Sequence, residues 1–249
     1  MLTQYRLTLT PEGPCAPQAE WGYRLYAALL EQAPGAFGEE VHQDAVTPLS
    51  QHLTVGEDRL VWTVNLLGER SEAALARLLE GQASILLKRD RVRLFITGCR
   101  REGVEDVEAL FALAARQQGP HLLQFQTPTA FKSRGEYVNL PTPRLIVQSL
   151  VQKWNGCFPD CPIEDEDGQG VEAIAAGLRC RGFRLQDRTY YLKGSTIPGF
   201  VGELTLENRL SGFHRQLADV LLLFSGYSGV GIKTALGMGG VRRQPARRG

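Results

Sequence analysis

The sequence predicts an α+β fold made of two tandem units of the same type. Three observations carry this reading. Apolar residues switch repeatedly between the spacing of strands and that of helices. The order strand, helix, strand, strand, helix, strand can be read twice, once on either side of Gly119-Pro120. A length of 249 residues gives each half an ordinary core. That order is the ferredoxin-like (RRM-like, βαββαβ) arrangement, with an N-terminal unit at residues 1–118 and a C-terminal unit at 119–249.

In the first half, Leu2 to Thr10 alternates Leu2, Tyr5, Leu7 and Leu9 with polar residues and stops at Pro11-Glu12-Gly13-Pro14, which reads as a strand. Ala19 to Ala33 reads as a helix with Tyr23, Tyr26, Ala27 and Leu30 on one side, ended by Pro34-Gly35. Ala45 to Thr54 and Arg59 to Leu67 are strands around Gly56-Glu57-Asp58. Ser71 is placed to cap a helix carrying Ala74, Leu75, Leu78 and Leu79. Arg91 to Thr97, running on into Gly98-Cys99-Arg100, is the closing strand, and Val104 to Gln117 is an added helix or helical linker.

The second half repeats the order. His121 to Thr127 is a strand, and Thr142 to Trp154 a helix. Leu178 to Leu185 and Thr189 to Lys193 form a hairpin turning at Gln186-Asp187-Arg188. Gly199 to Glu207 is a strand, Leu210 to Phe224 a helix with Leu217, Val220, Leu221 and Phe224 at helical spacing, and Val241 a short last strand.

The 43% apolar and 22% charged fractions are those of a soluble globular chain. No run of about 18 apolar residues exists, and Met1-Leu2-Thr3-Gln4-Tyr5-Arg6 begins like a strand, so no membrane partner and a cytoplasmic setting are expected. Five cysteines, an odd number, give no disulfide framework. Cys157 and Cys161 have a spacing that zinc sites use, but the other three cysteines do not match it and no histidine lies within 20 residues, so no metal site is expected. Asp160, Glu164, Asp165, Glu166, Asp167 and Glu172 crowd one segment, read as a solvated loop. The net charge is +1, yet after Glu207 only Asp219 offsets Arg209, Arg215, Lys233, Arg242, Arg243, Arg247 and Arg248. A local basic surface of this kind suits an anionic polymer.

The most informative segment runs from Ser225 to Arg242. Six glycines, Gly226, Gly229, Gly231, Gly237, Gly239 and Gly240, accompany Lys233, Thr234 and Arg242, as in a loop whose outward amides cradle phosphate. Gly226, Gly231, Lys233 and Thr234 nearly spell a nucleotide P-loop, but Ile232 separates glycine from lysine and the segment follows a helix instead of opening one. A loop gripping a nucleic-acid backbone is the reading preferred to a plain flexible connector. Lys132, Arg134 and Arg144, with Arg179, Arg181 and Arg184 on the hairpin, add further cations that would meet phosphate.

Together the glycine segment, the preceding Gly199-Phe200-Val201-Gly202-Glu203-Leu204-Thr205, the Phe125-Gln126-Thr127-Pro128-Thr129-Ala130-Phe131 stretch and His42 after the first helix resemble the CRISPR-associated endoribonucleases of the RAMP superfamily that cut precursor repeat RNA. The resemblance spans nearly the whole chain. It implies two ferredoxin-like folds, repeat RNA or crRNA as partner, and cleavage without metal or other cofactor that leaves a 2′,3′-cyclic phosphate and a 5′-hydroxyl.

It also implies a general acid or base at His42, in Phe37-Gly38-Glu39-Glu40-Val41-His42, because imidazole titrates near neutrality. His52 is a helper where some members place a lysine. Tyr26, with Tyr23 one turn earlier as a competitor, would position the ribose or share the proton. The RNA-binding set is Gly226, Gly229, Gly231, Lys233, Thr234, Gly237, Gly239, Arg242, Lys132 and Arg134. A catalytically silent RNA-binding subunit of a CRISPR effector complex, and a general RNA-binding protein of two RRM-like domains, remain the alternatives. Contact with other effector subunits and self-association into a homodimer stay open.

Overall fold

The computed structural model describes residues 1–35, 37–43, 46–56, 59–165 and 167–245, without the side chains at 40, 42, 43, 244 and 245. The first half contains β1 (Leu2–Pro11), α1 (Trp21–Gln32), α2 (Phe37–Gln43), β2 (Leu49–Val55), β3 (Leu60–Leu67), α3 (Glu69–Gly81), β4 (Ser84–Leu87), β5 (Val92–Val104) and α4 (Val107–Ala115). The second contains β6 (His121–Thr129), β7 (Phe131–Ser133), β8 (Glu136–Val138), α5 (Pro143–Cys157), α6 (Gln169–Gly177), β9 (Leu178–Asp187), β10 (Tyr190–Leu192), β11 (Ser195–Ile197), β12 (Phe200–Asn208), α7 (Gly212–Ser228), a 3-10 turn (Thr234–Leu236) and β13 (Val241–Pro245).

Both main sheets are antiparallel, ordered β2-β3-β1-β5-β4 and β13-β6-β12-β9. In the second, the first strand lies between the unit's third and fourth, the ferredoxin-like order; the first repeats it with β1 between β3 and β5, and β4 is an added edge strand beyond β5. β1 takes the central place because Tyr5, Leu7 and Leu9 alternate onto the face that α1 and α3 cover, where each is almost fully buried.

Several elements depart from the sequence reading. Helix α3 begins at Glu69 behind Gly68, and Ser71 lies inside its first turn, donating back to the Gly68 carbonyl instead of capping. The segment from 160 to 172 is not all loop, since Asp165 accepts from the amides of Gly170 and Val171 at the start of α6. The expected hairpin between residues 178 and 193 does not form. β9 pairs with β12, while β10 turns at Lys193-Gly194 and pairs with β11. That turn has positive φ at both central residues, as does Arg134-Gly135 between β7 and β8, and such turns match the twist of a two-residue hairpin.

The halves share their interior. Leu2, Leu67 and Val104 pack with the core of the second half, beside Ile146, Trp154 and Phe224. Ser50, Gln51 and His52 are consecutive and all buried, because β2 is covered on one face by its own helices and on the other by the second half. No helix among the described residues is long and apolar enough to cross a membrane.

Candidate active site

A cleft of ≈ 910 Å³ opens between the halves. One wall is α1, whose residues Tyr23, Tyr26, Ala27 and Leu30 recur at helical spacing. The sequence reading treats these four as one side of the helix. Trp21, Leu25 and Leu29 on another side fill the core of the first half, which leaves the tyrosine side to the cleft. Helix α2 continues this wall through Gly38, Glu39 and Val41. His42 stands on this same short helix; its side chain lies outside the described residues.

The facing wall is the glycine segment with α5. Gly231 is held at both ends of its residue: its N–H donates to Ser149 Oγ (2.8 Å), and its carbonyl accepts from Lys153 Nζ (2.8 Å). Ser149 and Lys153 are one turn apart on α5, so a single helix face supplies both partners. A Cβ at Gly231, where φ is +81°, would stand 2.2 Å from the Ala130 carbonyl oxygen. Ile232 N–H donates to that same carbonyl (2.9 Å). Beyond it Lys233, in the left-handed conformation, is exposed, and the turn after it presses on α1 and β2.

The phosphate-cradle expectation is therefore corrected at the backbone. The amides of Gly229, Gly231, Gly239 and Gly240 donate to the Ser225 carbonyl, Ser149 Oγ, the Pro128 carbonyl and Thr127 Oγ1. These groups are spent on folding, and Gly229, Gly231, Gly237 and Gly239 are buried. Lys233 and Thr234 line the cleft, Gly226 sits half-buried within α7, and Arg242 is exposed on β13. Lys132 and Arg134 are exposed on the β7–β8 hairpin, apart from the cleft lining.

His52 is not in the cleft. It is 3% exposed, its Nε2 is 3.1 Å from Gln126 Oε1, and a Cβ on Gly240 would stand 2.4 Å from its Cγ. Burial pushes its pKa down to about 4, with Arg6 adding to the effect against the Gln126 hydrogen bond. It is a buried residue of the junction between the halves. Tyr26 is 5% exposed, and burial, then Tyr23, raise its pKa, so it keeps its proton at neutral pH. Tyr23 carries Lys193 Nζ over its ring at 5.2 Å from the centroid. His121 is buried and bonded through Nε2 to Asp219 Oδ1 (2.7 Å), a structural pair, and His214 lies exposed near the start of α7.

Sequence reasoning missed three residues here. Lys153 reads as an ordinary helix cation, yet it lines the cleft, and desolvation brings its pKa down to about 7. Its only sequence signal is its place on α5 one turn after Ser149. Lys193 reaches the cleft because its hairpin folds back, which required the correct strand pairing. Gln51 donates to the carbonyls of Gly22 and Ala235 (both 2.9 Å) and accepts from Trp62 Nε1 (2.9 Å), tying α1 to the turn after the glycine segment. The thiols of Cys157 and Cys161 are free, and no group of three or more potential metal ligands exists among the described residues.

The profile of the family "CRISPR-associated endoribonuclease Cas6" matches residues 123–241. A protein so described from Mycobacterium tuberculosis is 30% identical over 255 residues, covering 98% of this chain and 79% of its own length. One from Streptococcus thermophilus is 27% identical over 227 residues, covering 91% and 92%. A solved Cas6 product complex superposes with a TM-score of 0.78 at 25% identity, covering 98% of this chain and 99% of its own.

Proposed function

Because the chain belongs to the Cas6 family of CRISPR-associated endoribonucleases, we propose that it cuts CRISPR precursor repeat RNA in the cleft between its halves, by attack of a ribose 2′-hydroxyl on the adjacent phosphorus. The observation that carries this reading is the gathering of one proton-holding tyrosine face, the helix bearing His42, and three lysines, Lys153, Lys193 and Lys233, around one groove.

In this reaction the 2′-oxygen forms a bond to phosphorus as the bond to the 5′-oxygen breaks. A base takes the 2′-proton and an acid returns one to the leaving oxygen. The products carry a 2′,3′-cyclic phosphate and a 5′-hydroxyl. His42 is assigned the acid or base role, since imidazole changes charge near neutrality. Tyr26 is assigned the positioning of the ribose, with its phenol kept as a donor by burial. Lys193 and Lys233 offset the charge that gathers on the phosphoryl oxygens. No residue is assigned to a metal, and the reaction needs none. The exposed Lys132, Arg134 and Arg242 are assigned to phosphates flanking the cut. The reaction belongs in the cytoplasm with the precursor, and mixing with effector subunits followed by size-exclusion chromatography reads out complex formation and self-association.

The test is incubation with labelled repeat RNA in EDTA, using the native chain, His42→Ala, and a substrate with a 2′-deoxy residue at the cut. One cut by the native chain, absent in both controls, is the expected result. Tight binding without a cut makes the chain a silent RNA-binding subunit, and a cut that survives His42→Ala overturns the assignment of His42.

A further inference from the structure

The α5 face that clamps the glycine segment carries a charge no motif announces. Lys153 Nζ donates to the Gly231 carbonyl at 2.8 Å and lies 3.4 Å from the Gly229 carbonyl oxygen. Among the described residues no carboxylate forms an ion pair with it. A cation held by backbone carbonyls at the edge of a groove, in place of an acid, is costly unless those carbonyls need holding. They do. Gly231 is the point where the chain turns from α7 toward Lys233 and Thr234, and these two side chains enter the cleft two and three residues later.

We propose that Lys153 is a positioning residue of the RNA-cutting reaction, acting through the Gly231 carbonyl to hold Lys233 and Thr234 in place across from Tyr26. The inference rests on the cleavage reading above. Ser149 fixes the other end of the same residue, so the clamp is two-point, and only its Lys153 half depends on charge.

That dependence makes the inference testable. Desolvation brings the lysine down to about 7, with Cys157 on the same helix acting in the opposite direction. The groups that face it around the cleft are Tyr23, Tyr26, Glu31 and Glu39 on the first wall, Lys193 on the β10–β11 turn and Lys233 on the glycine segment. The ammonium is about nine-tenths formed one pH unit below its pKa of about 7 and half formed at it. Above it the amine turns neutral, and its bonds to the two carbonyls lose their charge assistance.

The experiment compares single-turnover cleavage by the native chain and by Lys153→Met, which keeps the length of the side chain, from pH 5.5 to 9 with saturating repeat RNA. Dissociation constants are measured in parallel on the 2′-deoxy substrate, and thermal melts confirm that the variant is folded. The rate ratio of native to variant is expected to be roughly tenfold at pH 6 and to fall toward one by pH 9, with its midpoint near 7 and RNA affinity changed less than threefold. The ratio cancels the titration of His42, which both proteins share. A ratio above one that stays constant with pH assigns Lys153 to packing alone and overturns the inference, as does a ratio of one throughout. A variant that melts before assay is replaced by Lys153→Arg, which stays charged: its rate relative to the native chain should rise from pH 7 to 9, and a flat ratio overturns the inference equally. If the native chain makes no cut at any pH, the cleavage reading falls and this inference falls with it, a result distinct from all the others.

Discussion

Acidification tests the junction between the halves through one side chain. His52 titrates near 4 in the folded chain against an unfolded value of 6.5, mainly because burial disfavours the imidazolium. Above pH 6.5 the ring is neutral in both states and its contribution is fully present. Below 6.5 the unfolded chain takes up the proton first, so stability drains by about 1.4 kcal/mol per pH unit until the folded ring is protonated near 4.

The total is about 3 kcal/mol, a large share of the roughly 5–15 kcal/mol that holds an ordinary domain. Urea unfolding at pH 7.5, 6.5, 5.5 and 4.5 measures it, comparing the native chain with His52→Gln. Glutamine retains a polar group toward Gln126 but does not titrate. The stability difference between the two should be constant from pH 7.5 to 6.5 and then shift by 2–3 kcal/mol, in the variant's favour, by about pH 4.5. A difference independent of pH within about 0.5 kcal/mol would mean that His52 is hydrated in solution and that its place between β2 and Gly240 is wrong.

Four shorter tests probe the glycine wall, an open turn, the tyrosine wall and the β7–β8 hairpin. Gly231→Ala puts a side chain on a left-handed residue and a Cβ 2.2 Å from the Ala130 oxygen, so thermal melts should show a loss of about 2–4 kcal/mol. Gly13→Ala, with φ +87° and nothing within 4 Å of the added carbon, should cost only about 1 kcal/mol by the same assay. Tyr26→Phe keeps the packing and removes the donor, so the single-turnover rate should fall by roughly 10- to 100-fold with RNA affinity unchanged; an unaltered rate dismisses the phenol. Lys132→Gln with Arg134→Gln should lower the slope of log affinity against log salt by about two if each cation meets one phosphate, and an unchanged slope removes both from the RNA surface.

How far the fold could be read from the sequence depended on whether local pattern or distant partners decided each element. The alternation of Tyr5, Leu7 and Leu9 was sufficient for β1, because one buried face is all that strand needs. β2 was read as a strand, at Ala45 to Thr54, but the pattern could not show that both its faces are covered, which puts polar Ser50, Gln51 and His52 in core positions. The helical side bearing Tyr23, Tyr26, Ala27 and Leu30 was legible as a side, but spacing cannot say that it lines a cleft. The β9 pairing was misread because sequence neighbours make the easiest hairpin, whereas the register with β12 runs through nine residue pairs from Phe200–Asp187 to Asn208–Leu178. The glycines were visible, but their purpose was not. Whether an amide faces a phosphate or a neighbouring carbonyl is decided by segments such as Pro128 to Ala130, a hundred residues away.

That the glycine segment is interior changes how the groove is made. Gly240 lets His52 lie against the backbone, where any Cβ would meet the ring, and the amide of the same glycine is bonded to Thr127 Oγ1. Three consecutive residues of β2 then reach three separate places in the second half: Ser50 donates to the Tyr227 carbonyl, Gln51 to the Ala235 carbonyl, and His52 meets Gln126. Gln51 also holds the Gly22 carbonyl at the start of α1, so a single side chain ties the tyrosine wall to the turn that follows Lys233. Neither wall can shift without breaking buried hydrogen bonds, each worth about 1–3 kcal/mol when one partner is left unmet. A groove whose walls are set this firmly supplies orientation before any substrate arrives, and orientation alone can account for several kcal/mol of a cleavage barrier. On the proposed cleavage reading, this orientation lets a sparse set of proton-transfer groups suffice.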